Sequence, residues 1–200
     1  MSDQITFYFD FSSPYGYIAS ERIEAMAERH DYRVSWRPIL LGAIFKTTGA
    51  RPLVDIPLID AYTLYDLPRC ARQYGVAYNH PNRFPIATVA ACRGFYWLET
   101  THPGLASAYV HAVLQAYFRD GLAIDDTTTL AAIAGKLGVS TEDFLVGVDN
   151  DATRARARAA IEEAIAQGVF GSPMLFAGKE RFFGNDRLEQ LDHWLATGGW

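Results

Sequence analysis

Cysteine is nearly absent from this chain: Cys70 and Cys92 are the only two in 200 residues. They are too few, and wrongly spaced, for a Cys-x-x-Cys redox pair, a zinc knuckle or a disulfide framework. Buried, reduced thiols in a cytoplasmic protein are expected instead. Long apolar runs are missing too. No stretch approaches the ~20 residues needed to cross a bilayer, and the opening MSDQITFYFD lacks the basic region and apolar segment of a secretory leader. Positive charge is not in excess. A net charge of −5 argues against a nucleic-acid partner. Arg154, Arg156 and Arg158 stand two apart, so they spread around a helix and form no basic face, and Arg158 is expected to pair with Glu162. The histidines His30, His80, His102, His111 and His193 show no ligand spacing, so no metal site is expected. His111 lies in an apolar helical stretch and reads as a core or interface residue.

Apolar residues, by contrast, make up 50% of the chain and aromatics 14%, enough for a well-packed core. Ile5–Phe9 is a β-branched and aromatic run, hence a buried strand. From Pro14, the positions Tyr17, Ile18, Ile23, Met26 and Ala27 fall at helical spacing as far as about His30. Tyr32–Ile39 alternates as a second strand that Pro38 ends or places at an edge. From Leu40 to about Gly168 every segment is helix-like and punctuated by Gly, Pro or Asp, with capping chemistry in DDTTTLAAIA. Strands return in PMLFA and at Arg181–Phe183, joined by a Gly-containing turn, and a last helix follows Gly184-Asn185-Asp186. The order β-α-β, helices, β-β-α fits an α/β thioredoxin-like fold with a large all-helical insertion between the second and third strands. The boundaries expected are residues 1–42 and 168–200 for the thioredoxin-like part and 43–167 for the insertion, with a second small core inside the insertion. Such a fold fixes no function by itself.

Three stretches sit where such a fold carries chemistry. FDFSSPYGYIAS passes from strand through a tight turn into helix. Ser13 with Pro14 behind it is an ordinary helix cap. It also stands at a helix N-terminus, where free N–H groups and the dipole favour an anion. No cysteine accompanies it, so dithiol exchange by the chain's own residues is excluded, whereas a serine hydroxyl suits a thiolate brought by a small molecule. In VFGSPMLF, Pro173 opens a strand, and a cis bond there would expose the Ser172 backbone to a peptide-like ligand. In FFGNDRLEQL, Asn185 or Asp186 is expected to cap the last helix, or to hold an ammonium group. Arg93 is open to two roles, a substrate carboxylate or a structural ion pair.

Taken with SWRPILLGAIFKTTG, these stretches in this order resemble the 2-hydroxychromene-2-carboxylate isomerases and kappa-class glutathione transferases of the DsbA-like superfamily, over nearly the whole chain. The resemblance implies glutathione as cofactor, a small aromatic substrate and a homodimer. It matches Ser13 to the serine at the glutathione sulfur, Ser172 and Pro173 to the cysteinyl-backbone contact, and Asn185 and Asp186 to the γ-glutamyl end. Tyr15 would lie near the substrate or pack against the insertion, and Tyr62, Asp66 and Arg69 fit the insertion's second helix as a packed face. The implied reaction opens a cyclic hemiketal and rotates a double bond after reversible thiol addition. A kappa-like transferase or peroxidase, and a non-catalytic peptide-binding module, are the rivals. Ala50, Ile59 and Ala87 stand where relatives carry polar side chains. With a hydrogen bond worth about 0.5–1.5 kcal/mol, two or three such losses weaken glutathione roughly tenfold or more.

Overall fold

The computed structural model describes residues 3–200. Strand β1 (Gln4–Phe9) leads into helix α1 (Pro14–Glu28) and strand β2 (Arg33–Pro38). There follow α2 (Leu41–Thr48), α3 (Ile59–Tyr74), α4 (Val89–Thr101), α5 (Ala106–Phe118), α6 (Thr127–Lys136), α7 (Thr141–Asp149) and α8 (Asp151–Ala166), with no strand among them. Strands β3 (Met174–Ala177) and β4 (Glu180–Phe183) and helix α9 (Leu188–Thr197) complete the order. The sheet runs β2-β1-β3-β4, with β1 parallel to β2 and antiparallel to β3. The expected thioredoxin-like sheet, broken by a helical block, is present, and its strand limits lie within a residue or so of those read from the pattern.

Alternation in β1 assigns the two faces of the sheet. Ile5, Phe7 and Phe9 are fully buried on one face, where the Trp36 ring of β2 meets Phe7 and Phe9 edge-on. Tyr8 turns to the other face, into a cluster with Ile44 of α2, Ala164 of α8 and Met174 of β3. The helical block does not keep a small core to itself. A single cluster runs from Ile5, Phe7 and Trp36 through Tyr96 and Tyr109 to Phe144 and Ile161. Large aromatic side chains on α4 and α5 reach toward the sheet and join most of the helical block to its core, while smaller clusters remain around Tyr8 and between α1 and α3. Helix starts in the block carry the caps their sequences call for: Asp126 accepts from Thr128 and Thr129, Ser140 from Asp143, and Asn150 from Thr153.

His111 docks α5 onto α1. Its Nε2 lies 3.0 Å from Glu24 and its Nδ1 3.6 Å from Glu21. The Trp36 indole N–H and the Ser107 hydroxyl also donate to Glu24, at 3.2 and 2.8 Å, and Gln115 donates to Glu21. Burial pulls the His111 pKa down, but hydrogen bonds to Glu21 and Glu24 outweigh it and raise the value to about 9. The hydrogen bond from His111, followed by those from Ser107 and Trp36, takes Glu24 down to about 2 against the effect of burial. A raised histidine pKa gives stability that is complete below its unfolded value of 6.5 and is lost as the pH climbs through about 9. The Glu24 share is complete above its ordinary value of 4.5 and fades toward pH 2. The melting-temperature advantage of the native chain over His111→Gln is therefore expected to be greatest at about pH 5–6.5 and to shrink toward pH 10. An advantage that grows with pH would show that His111 is neutral here.

Candidate active site

At the end of β1 the chain does something a buried apolar strand rarely does: it places a carboxylate inside. Asp10 is 4% exposed, and such a group must find donors. Asp10 Oδ1 accepts from the Ser12 N–H at 2.8 Å and the Thr88 hydroxyl at 2.7 Å, and Oδ2 accepts from the Leu41 N–H at 2.6 Å. One side chain thus ties the turn after β1 to the starts of α2 and α4. Burial pushes the Asp10 pKa up, and these three hydrogen bonds pull in the opposite direction. The Asp10 carbonyl in turn accepts the Ser13 N–H at 2.9 Å, which sets the pitch of the turn.

Ser13 is the cap that the sequence suggested. Its backbone is extended (φ −95°), Pro14 follows, and its Oγ accepts from the Gly16 N–H at 3.1 Å. The same hydroxyl donates to the Ser172 carbonyl at 3.2 Å. That contact joins the first stretch to the second across the sheet. The β1–β3 register pairs Tyr8 with Met174, so Asp10 falls opposite Ser172 two positions on. There the Asp10 N–H is met by the Ser172 Oγ at 3.0 Å. The Ser172–Pro173 bond is cis, as is Phe84–Pro85. Gly16 matters for the approach: a Cβ on it would lie 3.0 Å from Ser172 Oγ and 3.1 Å from Ser13 Oγ.

The third stretch arrives through a backbone bond from the Gly184 N–H to the Pro173 carbonyl, at 3.0 Å. Neither Asn185 nor Asp186 caps the last helix, contrary to the sequence reading. Gly184 takes φ 112°, Asn185–Arg187 form a tight 3-10 turn, and α9 begins only at Leu188, with no side-chain cap. Asp186 pairs instead with Arg187 at 2.8 Å, while the buried Asn185 Oδ1 has no hydrogen-bond partner among the described residues. The turn is thus held to Pro173 and keeps one buried acceptor unspent.

Tyr15 turns away from this turn toward α3. Its hydroxyl donates to Asp66 at 2.6 Å, and burial, then Asp66, push its pKa well up. Asp66 also pairs with Arg69, which bonds the Tyr62 hydroxyl at 3.0 Å. The packed Asp–Arg face expected of this helix is what forms. Arg93 lies 3.6 Å from Asp149, in a cleft between α2, α4 and α8. The expected Arg158–Glu162 pair does not form, and Arg156 takes Glu99 at 2.8 Å. Ala50, Ile59 and Ala87 are all exposed.

The thiols are unsuited to chemistry of their own. Burial, then Asp66, raise the Cys70 pKa to about 11, and burial raises fully enclosed Cys92 further. The site contains two residues that the sequence reading missed, Asp10 and Thr88. Asp10 left one signal, a lone carboxylate inside FYFDF. Thr88 left none, being 78 positions from its partner.

Comparison with known proteins agrees with this fold. The profile of the DSBA-like thioredoxin domain matches residues 4–196. A 2-hydroxychromene-2-carboxylate isomerase of Pseudomonas putida is 30% identical, over 94% of this chain and 92% of the relative. A solved structure of a 2-hydroxychromene-2-carboxylate isomerase superposes with a TM-score of 0.87 at 30% identity, covering 98% of this chain and 94% of the other. Glutathione S-transferase kappa 1 of Rattus norvegicus is 23% identical over 94% of this chain and 89% of its own length.

Proposed function

This chain belongs to the DSBA-like thioredoxin family, in the group of the 2-hydroxychromene-2-carboxylate isomerases and kappa-class glutathione transferases, and from that premise we propose that it is a glutathione-dependent isomerase of 2-hydroxychromene-2-carboxylate or a closely related aromatic carboxylate. The observation that carries the reading is the Ser13 hydroxyl at the N-terminus of α1, 3.2 Å from the Ser172 carbonyl, in a chain whose own thiols resist ionisation.

Glutathione fits the residues present: a hydroxyl at a helix start, a backbone carbonyl beside it, and a polar turn with the unpartnered Asn185 Oδ1. When bound it supplies a thiolate whose reversible addition makes a double bond rotatable. The protein's part is to hold that sulfur ionised. In this reading the Ser13 hydroxyl and the α1 dipole lower the pKa of the sulfur from its ordinary ~8.5. No acidic side chain stands in the first turn of α1 to oppose them. The Ser172 carbonyl accepts the cysteinyl N–H, and so releases the Ser13 proton to turn toward sulfur. Asn185 and Asp186 receive the γ-glutamyl ammonium, and Pro173 keeps the Ser172 backbone presented. Tyr15 braces the insertion through Asp66, and Arg93 meets the substrate carboxylate.

A cytoplasmic homodimer completes the reading. Among the described residues no helix is long and apolar enough to cross a membrane. Leu58, Tyr62 and Tyr65, one face at the start of α3, are 88, 58 and 78% exposed, as an interface with a second copy requires.

The test is to follow 2-hydroxychromene-2-carboxylate spectroscopically with and without glutathione while titrating free thiol. Turnover that requires glutathione and leaves its concentration unchanged is expected. Stoichiometric thiol loss would make the protein a transferase, and absence of both turnover and glutathione binding would make it a peptide-binding module.

A further inference from the structure

The cleft that holds Arg93 has walls of a particular kind. It encloses about 320 Å³ between α2, α4 and α8. Its apolar lining includes Leu40, Val89 and Ile161, and its polar rim includes Arg93, Arg154 and Arg158. Pockets of this size, with an apolar lining and a few charged groups, suit a small flat molecule with a single ionic group.

The three guanidinium groups are not equally committed. Arg154 pairs with Asp149 at 2.6 Å and with Asp151 at 3.5 Å, yet its Nε is buried with no partner among the described residues. Arg93 keeps only a loose contact with Asp149, at 3.6 Å. Arg158 has no ion pair among the described residues, although Glu162 lies one turn along the same helix and lines the same cleft. Two weakly held cations, Arg93 and Arg158, therefore stand on the rim of an apolar cavity, with Glu162 as the carboxylate beside them.

The cleft also adjoins the reactive turn. Leu40 precedes Leu41, whose N–H bonds Asp10, and Val89 follows Thr88, whose hydroxyl bonds Asp10. Both walls are thus pinned to the side chain whose carbonyl holds the Ser13 N–H.

We infer that this cleft is the substrate subsite, taking the aromatic body of an aryl carboxylate on Leu40, Val89 and Ile161, with Arg158 and Arg93 as the counter-ions of its carboxylate. This deepens the proposed isomerase reading by naming Arg158, the α8 arginine without an ion pair among the described residues, as a specificity determinant. Planar guanidinium groups match a carboxylate in geometry, and replacing one removes directed hydrogen bonds as well as charge.

The experiment pairs binding with kinetics. Calorimetric titration of the whole chain with 2-naphthoate, and with neutral 2-naphthamide, is compared for the native protein, Arg158→Gln and Arg158→Lys. The native protein is expected to bind naphthoate at least tenfold more tightly than naphthamide. Arg158→Gln is expected to erase most of that preference and Arg158→Lys to restore part of it. With 2-hydroxychromene-2-carboxylate, the loss in kcat/KM of Arg158→Gln is expected to lie in KM, by about tenfold. Arg158 is exposed, so its replacement leaves the fold intact, and an unchanged melting temperature checks this. Equal binding of the acid and the amide by the native protein would overturn the inference, as would naphthoate affinity and KM that do not change in Arg158→Gln. A native protein that prefers naphthoate through Arg158 but turns over no chromene would instead overturn the isomerase reading and leave the subsite standing.

Discussion

Asp10→Ala is expected to lower the melting temperature by about 10 °C and to remove most activity, although Asp10 touches no reacting atom in the proposed mechanism. The reason lies in what the substitution leaves behind. The Ser12 and Leu41 N–H groups and the Thr88 hydroxyl all lose their acceptor at once. An enclosed donor left unpaired costs about 1–3 kcal/mol, and relief of the buried charge returns part of the sum. A net loss of about 3 kcal/mol corresponds to about 10 °C in a domain of this size. Activity falls for a separate reason, since the Ser13 turn and the entrances to α2 and α4 lose their common anchor. Asp10→Asn distinguishes charge from geometry. Its amide oxygen can serve Ser12 and Thr88, but its NH2 then faces the Leu41 N–H, donor against donor. An intermediate melting temperature is expected, while Thr88→Val, which removes one donor and keeps the shape, should cost about 1 kcal/mol. Thermal unfolding of the three variants beside their turnover provides the check. If Asp10→Ala melts with the native chain, the junction is not structural.

The elements that could be read in advance are those whose signal is local. The alternation of Ile5, Phe7 and Phe9, the stop at Pro38, and caps such as Asp126 act within a few residues of themselves, and each appears where expected. Ser13 belongs with them, because a cap, a proline and a helix lie in one short stretch. The Asn185-Asp186 cap failed for a non-local reason. Gly184 is bound to the Pro173 carbonyl, and that contact turns the following residues into a tight loop before the helix can start. Arg158 and Glu162 had the right spacing, but a surface pair of this kind is worth only a few tenths of a kcal/mol, too little to hold two long side chains together. The Asp10–Thr88 bond was out of reach of any pattern, since it depends on how α4 is laid against the sheet. The core shared by the sheet and the helical block was hidden likewise, because composition counts aromatics on α4 and α5 without saying which way they lean.

Ser13→Ala decides whether the residue is only a cap. As a cap it is worth about 1 kcal/mol, seen as a melting temperature lower by about 3 °C, because the Gly16 N–H loses its acceptor and the Ser172 carbonyl its donor. If Ser13 also holds a sulfur anion, a charge-assisted hydrogen bond worth about 1.5–3 kcal/mol disappears with it. That predicts a drop of roughly 10–150-fold in glutathione-dependent turnover at neutral pH. The pH profile separates the two roles. Without the hydroxyl the bound thiol ionises about 1–2 units higher, so the acid limb of the profile moves up by that amount and the variant recovers as the pH approaches 10. A loss through positioning alone would lower the profile at every pH without displacing it. Native-like turnover with the small thermal loss would return Ser13 to the ordinary role of a serine before a proline at the start of a helix, and the anion-holding function would have to be sought in the backbone of α1 alone.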